Sequence, residues 1–179
     1  MQAHLDGAVR VFTFKEGLLS RVAHDLCLDV GRFQVKVDDD AVAATFEIES
    51  LTVDGVMKKG RLDRTGLNKR DMGQIQRTIR TEIFQAQRHG LISFAGKRDG
   101  DRVSGTLEMK GRRAPIEFAV RGEGETVTGR VELRPSRWGI RPYKALLGAI
   151  KLKDRVVVEF ELTPTAPEAQ VANTTDTSA

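Results

Sequence analysis

Apolar and polar residues alternate with a period of two along most of this sequence, and this pattern restricts the fold more than any other feature. The alternating runs include VRVFTF, RFQVKVD, RVSGTLEMK, VTGRVELR and RVVVEFEL. Side chains of a β-strand point alternately to opposite faces, so each run predicts a strand with one apolar face. Short segments suited to tight turns separate the runs, at 38–40, 98–101, 111–115 and 122–124. The sequence therefore predicts a mostly β protein built from antiparallel hairpins.

One segment, 67–88, breaks the alternation and has helical spacing instead. Met72, Ile75, Ile79 and Ile83 recur on one side of it, with charged residues on the other. This predicts one amphipathic helix that packs on the sheet. We expect Asn68 to cap its start, with Asp71 in its first turn. A second short segment, 142–148, is either a turn of helix or a loop.

About eight strands of this kind suit a closed antiparallel β-barrel, because closure removes the exposed edges of an open sheet. In each run the more apolar parity should then point inward. Barrels of about eight strands are either filled by such side chains or hold one ligand, and the pattern leaves both outcomes open. The predicted inward residues are Leu26, Leu28, Phe46, Ile48, Ile92, Phe94, Leu107, Met109, Ile116, Phe118, Val131, Leu133, Val158 and Phe160.

Composition predicts a single domain over residues 1–163, followed by a disordered tail, 164–179, poor in large apolar residues. The N-terminus has no signal-peptide pattern and no window is apolar enough to span a membrane, so we expect a soluble, cytoplasmic protein. The lone cysteine, Cys27, agrees with a reducing compartment. A net charge of +4 from 29 basic and 25 acidic residues, without a basic face carrying aromatic residues, argues against nucleic-acid binding.

His24 is the one polar residue on an apolar strand face in the segment RVAHDLCLDVGRF. A structural hydrogen bond is favoured over direct ligand contact, since buried polar groups are normally paired. Strand geometry argues against a dyad with Asp25, which points to the opposite face, and Ser20 lies roughly 13 Å away along an extended strand. His4 and His89 lie in other segments, so we expect no metal site. No phosphate-binding or dinucleotide motif occurs, and no cofactor is expected.

The segment VSGTLEMKGRRAPIEFAV, residues 103–120, resembles the characteristic hairpin of the YceI-like polyisoprenoid-binding family. Other blocks resemble the family in the same order: GLLSRVAHDL with the following GRF, SLTV at 50–53, IFQAQRHGLISFAG, and the closing WGIRPYKALLGAIKLKDRVVVEFEL. The resemblance covers roughly residues 8–163.

This resemblance implies a lipocalin-like barrel whose apolar interior holds a long isoprenoid chain, commonly in a homodimer. A basic mouth could hold a phosphate or quinone head group, and ordinary surface charge is the alternative interpretation. The candidates for that mouth are Arg134, Arg137, Arg141 and Lys144, around Trp138 and Tyr143.

We therefore predict non-enzymatic binding, storage or transport of an isoprenoid or another long-chain apolar ligand. One alternative is a barrel with a filled core that serves as a protein-interaction or scaffold module, and a weaker one is an enzyme that uses His24 in the cavity. The predicted ligand-binding residues are His24, Leu26, Leu28, Phe46, Ile48, Phe94, Leu107, Met109, Ile116, Phe118, Leu133, Trp138 and Phe160.

Overall fold

A computed structural model describes residues 2–17 and 24–165 of the chain, and strands dominate these ranges. The strands are β1 (Gln2–Lys15), β2 (Leu26–Val30), β3 (Phe33–Asp38), β4 (Ala41–Glu47), β5 (Leu51–Lys58), β6 (Arg61–Asp63), β7 (Leu91–Asp99), β8 (Arg102–Met109), β9 (Arg112–Glu123), β10 (Thr126–Leu133), β11 (Lys144–Ala145) and β12 (Ile150–Pro164).

Eight of these strands close into an antiparallel barrel, which confirms the predicted fold class. Their order around the barrel is β12-β10-β9-β8-β7-β4-β3-β1, and β1 pairs back onto β12. The pairing of β1 with β12 runs from Leu5 opposite Pro164 to Lys15 opposite Leu152. The barrel wall is therefore continuous through backbone hydrogen bonds between the first and last strands.

Strand β1 has two partners on its other side. Its beginning, Gln2 to Leu5, pairs with β3, whereas Arg10 to Thr13 pair with β2. Strand β2 continues the sheet through β5 to β6. This second arm leaves the barrel wall and carries the helical segment.

The helical segment is shorter than predicted. Helix α1 (Lys69–Thr78) continues as one π-helical turn, Ile79–Ile83, and a separate turn, α2 (Ala86–His89), follows. The prediction of one amphipathic helix is confirmed, but that helix ends before Arg88, because Gln85 has a left-handed backbone (φ 53°) and precedes the separate turn. The predicted cap is confirmed, because the side chain of Asn68 accepts a 2.9 Å hydrogen bond from the Asp71 amide.

Side chains of the helical segment hold it against β5. The Gln76 side-chain oxygen accepts a hydrogen bond from the Val53 amide (2.9 Å), and the Arg80 guanidinium donates to the Leu51 carbonyl (2.8 Å). Both bonds use backbone groups of β5, so the helical segment is held against this strand.

Two other predicted segments have different outcomes. The segment 142–148 contains the short strand β11 and a 3-10 turn, Leu146–Gly148. It therefore agrees better with the predicted loop than with the predicted turn of α-helix. Strand β12 extends to Pro164, and the Thr165 amide donates to the His4 carbonyl (2.8 Å). Residues 166–179 of the predicted disordered tail lie outside the described residues.

Trp138 anchors the connection between β10 and β11. It ends a 3-10 turn, Pro135–Trp138, is fully buried, and donates its indole N–H to the Leu107 carbonyl at 2.8 Å. The Arg137 guanidinium lies 5.2 Å from the indole centroid, a cation–π distance. Gly139 follows with a φ of 74°, a left-handed conformation that suits glycine. The turn is thereby fixed to β8 by one buried side chain.

We expect Trp138→Phe to lower the free energy of unfolding by about 1–3 kcal/mol, because it leaves the Leu107 carbonyl buried without its donor. Urea denaturation followed by circular dichroism measures this change. Arg134→Ala is the control, since Arg134 is exposed at the start of the same turn. An unchanged midpoint for Trp138→Phe would contradict the anchoring role.

Cys27 is buried, with 1% of its surface exposed. Burial raises the pKa of its thiol, and the nearby Asp54 carboxylate raises it further. The reactive species is the thiolate, so both effects reduce reactivity at neutral pH.

We expect Cys27 to resist a thiol-reactive dye in the folded protein and to react fully once urea unfolds it. The measurement is the absorbance of the released chromophore over time at pH 8. Rapid stoichiometric labelling of the folded protein would contradict the burial of this side chain.

Candidate ligand-binding site

The barrel encloses a cavity of about 860 Å³. Every residue predicted to point inward lines it, so the parity interpretation is confirmed and the barrel interior is open rather than filled. Ligand pockets commonly measure about 300–1,000 Å³, and this cavity falls within that range. Its wall is largely apolar, since Val, Leu, Ile and Phe side chains supply most of the lining.

The helical segment forms part of the cavity wall as well as packing on the sheet. Ile75, Ile79 and Ile83 all line the cavity. The sequence predicted their common apolar face but placed it only against the sheet. The spacing of these residues correctly predicted an apolar helix face, but it could not show that this face also borders the cavity.

Three aromatic rings form a row across the cavity. Phe94 and Phe118 have centroids 5.9 Å apart, and Phe118 and Phe160 lie 6.0 Å apart in an edge-to-face arrangement. These geometries are favourable for aromatic pairs. The rings come from β7, β9 and β12, so the row connects three different strands inside the barrel.

Side chains that both line the cavity and are exposed mark where it meets solvent. Among the described residues, Arg98 is such a side chain at one end of the barrel, and the others lie at the opposite end. We call these others the mouth. They are Asp71 and Gln74 of α1, and Arg141, Leu146 and Lys153 of the segment that contains β11 and the start of β12.

The cations that line the cavity at and beside the mouth differ in whether they form ion pairs. Arg155 lines the cavity, but its guanidinium hydrogen-bonds to Glu132 (2.9 Å) and holds the pKa of that carboxyl below its ordinary value. Arg141 and Lys153 form no ion pair with any other described residue. Tyr143 lies beside them in the lining and is half-buried. The mouth therefore presents two positive charges without ion pairs in the described part of the chain, together with the carboxylate of Asp71, and Tyr143 lines the same cavity.

The predicted head-group set is only partly placed at the mouth. Arg141 and Tyr143 line the cavity, whereas Arg134, Arg137 and Lys144 are absent from its lining. Arg137 donates to the Pro115 carbonyl (2.8 Å) instead.

Two further differences concern single residues. Trp138, predicted to contact ligand, packs outside the cavity lining, because its ring is buried in the core and bonded to β8. Lys153 was missed, and the signal for it was the lysine-rich start of the last strand, IKLK.

His24 lines the cavity and is half-buried, just before β2 begins at Leu26. Its predicted structural hydrogen bond is not found among the described residues. The Asp25 carboxylate accepts from the Lys15 amide (2.7 Å), so it ties β1 to the start of β2 rather than orienting His24. Thr13 also lines the cavity, and its hydroxyl is buried with no partner in the described part of the chain. Ser20, also considered in the sequence, lies outside the described residues.

Residues 2–17 and 24–165 contain no group of three or more His, Cys, Asp or Glu side chains placed to hold a metal ion. None of their helices is long and apolar enough to cross a membrane.

Several solved structures share this fold. A polyisoprenoid-binding domain from Saccharophagus degradans aligns with a TM-score of 0.62 at 14% identity, covering 93% of this chain and 98% of that one. BcnA of Burkholderia cenocepacia aligns with a TM-score of 0.57 at 19% identity, covering 88% and 96%. A YceI protein of Campylobacter jejuni aligns with a TM-score of 0.53 at 13% identity, covering 78% and 85%. No curated protein matches the sequence.

The family assignment rests on the sequence as well as the fold. A family model, the YceI-like domain, matches residues 10–164, which span the barrel strands from β1 to the end of β12. Because this match covers most of the chain, the protein belongs to the YceI-like family.

Proposed function

We propose that the protein binds, stores or transports a long-chain isoprenoid or a similar apolar lipid in the barrel cavity, without catalysing a reaction. The observation that carries this proposal is the cavity of about 860 Å³ with its largely apolar wall. Burying an apolar chain there removes both the chain and the wall from water, at roughly 25 cal/mol per Å² before the costs of ordering the ligand. The polyisoprenoid-binding domain of similar fold supports this ligand class.

The mouth favours one orientation of such a ligand. The apolar chain would lie among the inward side chains, and a polar or anionic head group would lie at Arg141 and Lys153, with Tyr143 alongside. Both cations are free of ion pairs within the described residues, so an anionic head group would not have to displace a carboxylate. His24 and Thr13 are the polar groups that a chain would meet on the wall near the start of β2.

The two alternatives fare differently against this geometry. A scaffold with a filled core is disfavoured, because the interior is open. The enzyme alternative would need His24 to act as a general base. It is disfavoured, because Asp25, the carboxylate nearest to His24 in sequence, accepts a hydrogen bond from the Lys15 amide instead of orienting the imidazole.

Two parts of the proposal rest on the sequence alone. We propose a cytoplasmic location, which the lone Cys27 supports. We also propose a homodimer, on the resemblance to the family.

The first test is the identity of any molecule carried by the protein. Mass spectrometry of organic extracts, with an unrelated protein purified in parallel, should find a long-chain isoprenoid at near-stoichiometric yield. An empty extract together with failure to take up added isoprenoid would contradict the proposal.

A charge placed inside the cavity should block uptake, whereas the same charge on the outer wall should not. Phe118 points inward on β9 and its neighbour Ala119 is exposed. We expect Phe118→Glu to weaken uptake of a fluorescent isoprenoid at least about tenfold, since each 1.4 kcal/mol lost is a factor of ten. Ala119→Glu, the control, should bind as the unchanged protein does.

Equal uptake by both variants would contradict an internal site. Circular dichroism must show both variants folded. If Phe118→Glu does not fold, Ile116→Trp provides the same test by filling the cavity without a charge, because Ile116 also points into it.

The depth of the cavity depends on a close contact between Gly129 and Phe160. A Cβ added at Gly129 would overlap the ring of Phe160, which lies directly over this glycine. Because Phe160 lines the cavity, the ring could relieve the overlap only by moving, and the free space is on the cavity side. The absence of a side chain at Gly129 therefore keeps this region open.

We expect Gly129→Ala to shift binding toward shorter isoprenoids, because the displaced ring occupies part of the cavity. The measurement is the ratio of Kd values for a long and a short isoprenoid alcohol. Gly122→Ala is the matched control, since an added Cβ there meets no atom within 4 Å. The same ratio in both variants would show that Phe160 does not limit chain length.

A further inference from the structure

The turn between β11 and β12 exposes two leucines beside the mouth. Leu147 is fully exposed and Leu146 is 65% exposed, and the other large apolar side chain exposed to a similar extent in the described residues is Leu91, at 59%. The remaining large apolar side chains of the described residues are buried or half-buried, so these two adjacent leucines form an exposed apolar contact surface. We call residues 144–151 the tip.

The backbone of the tip is held in a conformation that presents these leucines outward. Leu146 (φ 50°), Leu147 (φ 54°) and Gly148 (φ 91°) have consecutive positive φ angles. This left-handed region is uncommon for bulky residues other than glycine and costs conformational energy. Pairing of Lys144 with Lys151 and of Ala145 with Ile150 holds the base of the tip.

Positive charge surrounds the tip. Lys144 and Lys151 lie opposite each other at its base, and Arg141 and Lys153 flank them in sequence. Lys151 pairs with Glu16 (3.0 Å), whereas Lys144 has no ion pair among the described residues. Exposed leucines with basic residues at the base of the same turn match an anionic lipid surface, which takes up apolar side chains and attracts basic ones.

The turns at the opposite end of the barrel are richer in acidic residues, although Lys97 there pairs with Asp40 (3.6 Å). The turns between β3 and β4, β7 and β8, and β9 and β10 all lie at that end, because the strands alternate in direction. Those turns contain the acidic sequences DDD at 38–40, DGD at 99–101 and EGE at 123–125. An anionic surface would therefore attract the end with the tip more strongly than the far end.

We propose that the tip docks the protein on an anionic membrane surface, with Leu146 and Leu147 inserted among the lipid chains and the flanking cations at the head groups. Leu146 also lines the cavity, so docking would place the mouth at the membrane surface. This proposal rests on the proposed function for the site of lipid exchange, which it places at the membrane surface. Docking can be measured separately, because vesicle binding requires no isoprenoid in the cavity.

The test is co-sedimentation of the full chain with vesicles of phosphatidylcholine alone and with vesicles of equal parts phosphatidylcholine and phosphatidylglycerol. We expect binding to the mixed vesicles that weakens as salt is added, because screening reduces the attraction between surface charges. Leu147→Asn should lower this binding about tenfold, since it removes one fully exposed leucine, while asparagine tolerates the left-handed backbone. Lys144→Glu should lower binding to the mixed vesicles and leave the weak binding to phosphatidylcholine unchanged.

Leu91→Asn is the matched control, because it removes an exposed leucine from β7, which lies four strands from β12 around the barrel. It should bind vesicles as the unchanged protein does. Equal loss in Leu91→Asn and Leu147→Asn, or no binding of the unchanged protein to mixed vesicles, would overturn the proposal. A second copy covering the tip would also overturn it, and light scattering would then show a lower mass for Leu147→Asn with unchanged vesicle binding.

Isoprenoid uptake distinguishes failure of this inference from failure of the proposed function. Leu147 does not line the cavity, so Leu147→Asn should take up isoprenoid from dilute solution normally. Normal uptake without vesicle binding in the unchanged protein would reject docking alone. Failure of uptake in the unchanged protein would reject the proposed function whatever the vesicles show.

Discussion

The pairing of β1 with β12 is the interaction on which the rest of the structure depends. It joins the two ends of the described barrel into a closed wall, from Leu5 opposite Pro164 to Lys15 opposite Leu152. Gly7 allows the strands to approach, because a Cβ at this residue, with its φ of 150°, would overlap the Glu161 carbonyl oxygen. Since backbone hydrogen bonds close the wall, the interior does not have to be packed solid to keep the strands together.

Period-two alternation predicted the barrel and its inward faces because it depends on backbone geometry alone. The same holds for Asn68, whose capping role is a local property of the helix start. Predictions that needed tertiary information were less successful. The helix ends early because Gln85 adopts a left-handed backbone, and Trp138 is committed to the Leu107 carbonyl, a partner 31 residues away in sequence. The hydrogen bond expected for His24 required a particular neighbour, which no pattern in the sequence specifies.

Whether the barrel is open could not be read from alternation, because the enclosed volume depends on strand tilt and stagger as well as on side-chain size. Glycines at inward positions of the strands are a sequence feature that indicates open space inside the barrel. Gly96, Gly105 and Gly129 share the parity of cavity-lining neighbours and contribute no side chain. An added Cβ at Gly96 or Gly105 would lie 2.7 Å from Cζ of Phe94, so the rings occupy the space that these glycines leave. Large rings over glycines keep the wall thin and the cavity wide.

An open apolar interior has a thermodynamic consequence for how the protein works. The lining side chains are already buried in the core, and a bound chain adds further apolar contact in the folded state alone, so it stabilises that state by mass action. The cavity opens beside the tip, and Leu146 belongs to both. If the tip docks as proposed, an apolar chain would pass from the lipid surface, past Leu146, into the cavity that Phe118 lines. A chain that takes this route would expose less of its length to water, which lowers the cost of transfer at roughly 25 cal/mol per Å² of apolar area.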